Sequence, residues 1–450
     1  MNSYKGVHAL VVGLGLSGFA AARALHVAGA HVRVTDDSDD NNLRARAAEL
    51  SAQGIEVEVG GHAVATEEVD LAVVSPGIPL ETGIVSNLMG AGIETISEIE
   101  LGYRLARCDI LAVTGTNGKT TTTELLAAML DSAGVVSMAA GNIGTPLTEA
   151  VALIGDGGAI ATEVSSFQLA LTQDFRPRVA VVLNVAEDHT DWHGNAAAYG
   201  AAKGLITSNQ GPGDTLVFNR EDAVSNSIAA HTRAQTVPFS AVTAPRNGIG
   251  VADGEVRWIG EALMDSAELS LPGRAGADDT LAALAAALSY GAGRAAVVEA
   301  ARSFHPLSHR LETVATVNGV TFIDDSKATN PHATLAALEG MTDVVLIAGG
   351  RSKGIDLRVL KAAVPPVVAV VALGEASGEI VSVFESLVPV ETESSMSAAV
   401  RWAFETARGR GSVLLSPSCA SLDMYSSYAE RGDDFKRAVS SLKAERIENG

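Results

Sequence analysis

The sequence predicts an α/β protein of three domains: a Rossmann-like N-terminal domain, a central P-loop ATPase-like domain with a small antiparallel sheet, and a Rossmann-like C-terminal domain. Three observations predict it. Apolar strand-like runs alternate with helical patterns in three successive blocks. A glycine-rich loop stands between strand and helix in each of the first two blocks. The length, 450 residues, exceeds what one hydrophobic core usually organises.

In residues 1–97, Val7 to Gly18 reads as a buried strand running into a glycine turn, and FAAARALHVAGA as a helix stopped at Gly29. VRVTDD and VDLAVVSPG supply further strands, the pattern of a parallel sheet. Residues 98–306 open with DILAVTGTNGKTTTTELLAAMLDSAG, a strand, a loop and a helix ended by Gly134, and AIATEVSS and RVAVVLNV add strands. After Gly211 the segments DTLVFN, GIGVADGEVRWIG and AELSLPG are turn-rich and strand-prone, which predicts a small antiparallel sheet beside the main one. The helix DDTLAALAAALSYG closes the block. Residues 307–450 repeat the alternation in VTFIDDS, VVLIAGG, VVAVVAL and SVLLSP, another open parallel sheet. Brief hinges near Ser97 and Leu307 are expected to join the domains.

Composition narrows the function classes. With 47% hydrophobic and 19% charged residues the chain is globular rather than disordered. Cys108 and Cys419 stand far apart, which excludes a disulfide framework and points to the cytoplasm. The apolar stretch after Lys5 carries glycines at phosphate-loop spacing and ends at Arg23, so neither export nor membrane insertion is expected. A net charge of −21 offers no basic stripe for nucleic acid, so phosphorylated ligands must be held by local geometry. A monomer is the expected form.

Gly115-Thr116-Asn117-Gly118-Lys119-Thr120 is the strongest single signal. Between a strand and a helix, free backbone N–H groups and the helix dipole attract phosphate oxygens. Lys119 adds a mobile positive charge, and Thr120 offers a hydroxyl to Mg²⁺. A plain glycine turn with an incidental lysine is the alternative, and the register of strand, loop, Lys-Thr and helix weighs against it. The loop is shorter than G-x-x-x-x-G-K-S/T, with Val113-Thr114 where the first glycine falls. Glu163 ends one apolar strand and His189 follows another, where strand ends converge on a ligand crevice; both are candidate metal ligands, unless EDHTDWHG is simply an exposed polar loop. Gly13-x-Gly15-x-x-Gly18 with Asp36 matches a dinucleotide fingerprint. It fits a nicotinamide oxidoreductase, the rival class, or equally the diphosphate of UDP; an absorbance change of added NADH on turnover separates the two.

The phosphate loop, TGTNGKT, resembles that of the Mur ligase superfamily. The resemblance runs on in order through GNIG at 141–144, EVSSFQL at 163–169, NVAEDHTDWHG at 184–194, AYGAAKGLI at 198–206, SHRLE at 308–312, DDSKATNPHAT at 324–334, AGGRSKG at 348–354 and SPSCASLD at 416–423. It implies an ATP-dependent amide ligase of cell-wall synthesis that couples D-glutamate to UDP-N-acetylmuramoyl-L-alanine through an acyl phosphate. It implies ATP at Gly115, Thr116, Asn117, Gly118, Lys119, Thr120, Thr121, Arg310 and Asp325. Lys119, Glu163, His189 and Lys203 are the implied catalytic set, and Thr120, Glu163, His189 and a carbamoylated Lys203 the implied ligands of two Mg²⁺ ions. UDP-substrate neighbours are implied at Leu16, Ser17, Asp36, Asp37, Ser75, Pro76, Gly77 and Asn142. D-Glutamate is expected at Lys327, Thr329, Lys353, Ser421 and Tyr428, where Tyr428 replaces the usual phenylalanine. A folylpolyglutamate-type or another Mur-type ligase, and a non-catalytic nucleotide-binding regulator, are the remaining alternatives.

One stretch departs from the family. LPGRAGADDTLAAL carries Ala275-Gly276 in place of a His-Asn pair and Asp279 in place of a second asparagine. An aspartate only accepts hydrogen bonds, so one adenine contact is expected to be missing and ATP to bind a few-fold to about tenfold more weakly, with the preference over GTP retained. Alternatively Asp279 merely caps the first turn of the following helix.

Overall fold

The computed structural model describes residues 4–61, 68–186, 188, 190–271, 273–304, 308–338, 340–352 and 355–448. Among them three sheets form. The first orders its strands Glu56–Val59, His31–Asp36, His8–Val12, Leu71–Val74, Glu94–Ser97, all parallel. Its two central strands are apolar over Ala9–Val12 and Leu71–Val74 because both faces are covered there: Val11 and Val73 enter one core with Val34, Leu10, Val12 and Val74 the other.

The second sheet runs Glu261–Asp265, Glu255–Trp258, Ile249–Ala252, Gln235–Ser240, Thr215–Asn219, Val179–Val182, Asp109–Thr114, Ala159–Glu163, Ser137–Gly141. The first three strands pair antiparallel and the rest parallel. The expected antiparallel strands are therefore present but continue the main sheet, joined at Phe239 opposite Ile249 and Ser240 opposite Gly250. A side chain at Gly250 would overlap the carbonyl oxygens of Ser240 and Thr243, so this seam needs glycine. DTLVFN lies in the parallel part. The closing helix, Gly273–Tyr290, starts before the expected Asp278.

The third sheet orders Glu312–Val317, Val320–Asp324, Ser412–Ser418, Val344–Gly349, Val367–Leu373, Val390–Thr392. It is parallel except for the first pair, a hairpin. Apolar cores cover both of its faces.

These sheets group into two compact units. One comprises Met1–Val185, Ala197–Ser270 and Asp278–Phe304, with the first two sheets; the other comprises Ala186–Ala196, Leu271–Ala277 and His305–Gly450, with the third. The first two sheets are one body because the junction after Ser97 is bolted down. Ser97 N donates to Leu171 O at 2.9 Å. The buried Glu98 Oε1 accepts from the backbone N (2.6 Å) and hydroxyl (2.7 Å) of Thr148. Glu100 accepts backbone N–H groups of Gln173, Asp174 and Phe175 at 3.0, 2.9 and 3.0 Å. These Glu98 and Glu100 bonds fix the helix to the second sheet, while its Leu101 enters the core of the first sheet and Leu171 packs into that sheet's other core. A hinge at Ser97 would have to part those cores and the Ser97–Leu171 bond, so the expected hinge there gives way to a splice. Leu307 lies outside the described residues.

Candidate active site

Strand Asp109–Thr114 delivers the chain into the phosphate loop, and helix Lys119–Ser132 leaves it. Gly118 adopts φ +80, a conformation that glycine takes at no cost and that turns the backbone into the helix. Asn184, just past strand Val179–Val182, clamps the loop: its backbone oxygen accepts from Thr116 N at 2.8 Å, its Oδ1 from Asn117 N at 2.9 Å, and its Nδ2 donates to Asn117 O at 3.2 Å. Lys119 Nζ reaches back to Thr116 O at 2.9 Å. Its charge thus stands over the loop.

Thr120 and Glu163, both expected as metal ligands, meet. Thr120 Oγ1 donates to Glu163 Oε2 at 2.7 Å, and both residues are buried. Two hard oxygens in contact beside a phosphate loop are the donor set Mg²⁺ prefers, so the residues present fit that ion. Asn142, expected beside the UDP substrate, gives its Nδ2 to Glu163 Oε1 at 3.0 Å. Lys203 is 1% exposed; its Nζ donates to Gly115 O at 2.7 Å and lies 4.4 Å from the centroid of the Tyr199 ring. Tyr199 also shares a hydrogen bond of 3.3 Å with Thr116 Oγ1. Lys203 therefore touches the phosphate loop directly, whereas His189 lies outside the described residues.

In the first sheet, Gly13 takes φ +95 and Gly18 packs so closely that a Cβ would overlap the Gly13 carbonyl. Helix Leu16–Val27 begins without a side-chain cap, which leaves its first N–H groups for a ligand. Asp36 holds the loop: Oδ2 accepts from Leu14 N at 2.7 Å and Oδ1 from Ser38 N at 3.0 Å. Ser75 Oγ donates to Gly13 O at 3.2 Å. Leu16 (60% exposed), Asp37 and Gly77 are open to solvent, and Ser17 and Pro76 are half-buried beside them.

In the second unit, Lys327 Nζ stands 3.8 Å from the centroid of the Tyr428 ring, a cation–π pair. The His309 ring meets Tyr428 edge-on at 6.3 Å, and His309 Nδ1 bonds Asp324 Oδ2 at 2.7 Å. Ser421 is buried and Thr329 half-buried on neighbouring turns. Lys353 lies outside the described residues. Asp325, expected at the nucleotide, is buried and accepts from Ser416 Oγ at 2.9 Å and Leu311 N at 3.3 Å. Burial pushes its carboxyl up to about 7, against the Ser416 hydrogen bond and the Arg310 charge. Asp188 is tied to Asn330, whose Nδ2 lies 3.4 Å from its Oδ2. His309, Glu312 and Asp324 converge closely enough to hold a cation. Lys436 Nζ already stands 2.7 Å from Glu312, and the imidazole is bonded to Asp324.

Motif membership signalled Asn184 and Tyr199 without revealing that one clamps the phosphate loop and the other lies against Lys203. Arg431 carried no signal: buried, it donates to Ser326 O (2.8 Å), Ser326 Oγ (3.0 Å) and Cys419 O (3.1 Å), and burial lowers its guanidinium to about 10.

Three families match in order: the Mur ligase MurD-like N-terminal domain over 7–97, the Mur ligase middle domain over 113–287, and the Mur ligase glutamate ligase domain over 309–419. A UDP-N-acetylmuramoylalanine--D-glutamate ligase of Frankia casuarinae is 44% identical over 454 residues, covering 97% of this chain and 94% of that protein. The chain belongs to the Mur ligases. A ligase of the same description from Pelotomaculum thermopropionicum is 42% identical, covering 96% of this chain and 97% of its own. Among solved structures, a pseudomurein peptide ligase type C from Methanothermus fervidus shares the fold with TM-score 0.61 at 17% identity, covering 97% and 100% of the two chains. The UDP-N-acetylmuramate-alanine ligase of Thermotoga maritima does so with TM-score 0.59 at 19% identity, covering 97% and 100%. As a Mur ligase this protein is an ATP-dependent ligase of peptidoglycan precursor synthesis. Among the described residues no helix is long and apolar enough to cross a membrane.

Proposed function

We propose that this Mur ligase joins D-glutamate to UDP-N-acetylmuramoyl-L-alanine with cleavage of ATP to ADP and phosphate, acting as a cytoplasmic monomer. The observation that carries the reading is end-to-end identity of 44% and 42% with two ligases of that description, together with the intact Thr120–Glu163 contact at the phosphate loop. A carboxylate is a poor electrophile. The alanyl carboxylate oxygen attacks the γ-phosphorus of ATP, the bond to the β-phosphate oxygen breaks, and ADP leaves. The amine of D-glutamate then attacks the acyl carbon, the C–O bond to phosphate breaks, and the amine loses a proton as the amide forms.

With Thr116 N and Asn117 N held by Asn184, the N–H groups at the start of helix Lys119–Ser132 orient the phosphates, and Lys119 offsets charge on the transferring phosphoryl group. Thr120, Glu163, His189 and a carbamoylated Lys203 are assigned as holders of two Mg²⁺ ions, which when bound supply positive charge to the phosphate oxygens. Carbamoylation needs the neutral amine, and it would turn the buried Lys203 from a cation into an anionic oxygen ligand. Gly13, Gly15 and Gly18 with Leu16, Ser17, Asp36, Asp37, Ser75, Pro76, Gly77 and Asn142 are assigned to the UDP-substrate end. Lys327, Thr329, Lys353, Ser421 and Tyr428 are assigned to D-glutamate, whose carboxylates suit an amine and hydroxyls. Arg310 and Asp325 are assigned to ATP, with domain limits at 97 and 306.

Phosphate release from ATP, measured with UDP-N-acetylmuramoyl-L-alanine and each candidate amino acid in turn, tests the proposal. D-Glutamate alone should support turnover. Equal turnover with L-alanine, a diamino acid or a folate acceptor would overturn it.

A further inference from the structure

Asp279 cannot cap the first turn of its helix, because helix Gly273–Tyr290 is already in its second turn there. Its carboxylate lies instead against the phosphate loop: a Cβ on Gly118 would overlap Asp279 Oδ1. Gly118 is the N-cap of helix Lys119–Ser132, and that helix end has no side-chain cap of its own. The neighbouring Asp278 is turned away, with its Oδ1 accepting from Ala241 N at 3.2 Å.

From this placement we infer that Asp279 is a positioning residue for the phosphate loop and that its charge sets the loop's affinity for phosphate. A helix N-terminus is one positive pole. Two anions close to it, a fixed carboxylate and a phosphate chain, share its attraction and repel each other. Asp279 thus supports the left-handed turn at Gly118 while weakening every ligand that carries phosphate to the loop. The effect belongs to charge, so it grows for phosphates without a counter-cation and shrinks as salt screens it. A lost adenine contact would show neither property. The inference rests on the assignment of residues 115–120 as the phosphate site.

Inorganic tripolyphosphate, which has no base, is the discriminating probe. Its binding to the full-length protein would be measured by calorimetry with and without Mg²⁺, for the wild type, Asp279→Asn, Asp279→Ala and Lys119→Ala, with thermal unfolding of each variant recorded alongside. At about 50 mM salt both Asp279 variants should bind tripolyphosphate roughly threefold to tenfold more tightly, more so without Mg²⁺, and the gain should shrink at about 500 mM. Inhibition by adenosine should be unchanged. Tripolyphosphate affinity that stays at the wild-type value in both variants overturns the inference. So does a gain confined to adenosine and ATP, which would restore the adenine contact. If Lys119→Ala binds tripolyphosphate as well as the wild type, the phosphate-loop assignment itself fails, and the inference with it.

Discussion

Each loop side chain described above has one task, and its removal has a specific signature. Lys119→Ala removes the cation over the phosphate loop and should lower turnover by about 10² to 10³, read as phosphate release at saturating ATP. Turnover within tenfold of wild type would show the charge lies elsewhere in the reaction. Lys203→Ala should inactivate the enzyme, and millimolar acetate should restore part of the activity by supplying the anion that a carbamate provides; arginine, always cationic, should not substitute. Full activity of the alanine variant would remove Lys203 from the mechanism. At the amino-acid end, the Tyr428 ring under Lys327 makes a separable prediction. Tyr428→Phe keeps the aromatic face and should behave as wild type, whereas Tyr428→Leu should raise the KM for D-glutamate about threefold with little change in kcat. A fall in kcat with KM unchanged would contradict a role in holding that lysine. The candidate site's members were picked out by motifs that stand in order along the chain. Their partners were not, since the bond from Asn142 to Glu163 joins segments that only the sheet brings side by side.

Among elements, helix Glu98–Leu105 shows what a sequence hides. Its first turn carries Glu98 and Glu100, a residue type that is mostly exposed in proteins, yet both are buried. Burial raises the Glu98 carboxyl from 4.5 to about 7, against the two Thr148 hydrogen bonds. The folded carboxyl keeps its proton to about pH 7, while the unfolded chain releases it near 4.5. Stability from this group is complete below pH 4.5, falls as pH climbs to about 7 and is constant beyond, a change on the order of 3 kcal/mol. Glu98→Gln should flatten the pH dependence of thermal unfolding across that window; an unaltered profile would assign it to other groups, Asp325 among them. Gly276, before the helix expected to open at Asp278, lies inside helix Gly273–Tyr290, where a Cβ would overlap Leu271. Close approach and turn geometry leave the same letter in a sequence.

In the whole molecule, three alternating blocks predicted three parallel sheets with a small antiparallel one beside the second; among the described residues three sheets form, and the antiparallel strands extend the second. The count of mechanical bodies was not legible, because it depends on a few bonds at one junction. Helix Glu98–Leu105 contributes Leu101 to the core of the first sheet and Ile99 to that of the second, so the two cores share a spline. Native-state hydrogen exchange should therefore place the amides of Gln173, Asp174 and Phe175, held by Glu100, in the same opening unit as strand Leu71–Val74. Independent exchange of the two sets would show that the bodies part.

On the assignment of UDP to the Gly13 loop and ATP to the Gly118 loop, this splice makes the first unit a calliper with locked jaws. The gap between the sugar-nucleotide and the phosphoryl donor cannot stretch to suit the guest, so the acceptor is gauged by its length. A UDP-muramoyl acceptor one residue longer or shorter at its peptide end should bind by its uridine and still fail to turn over.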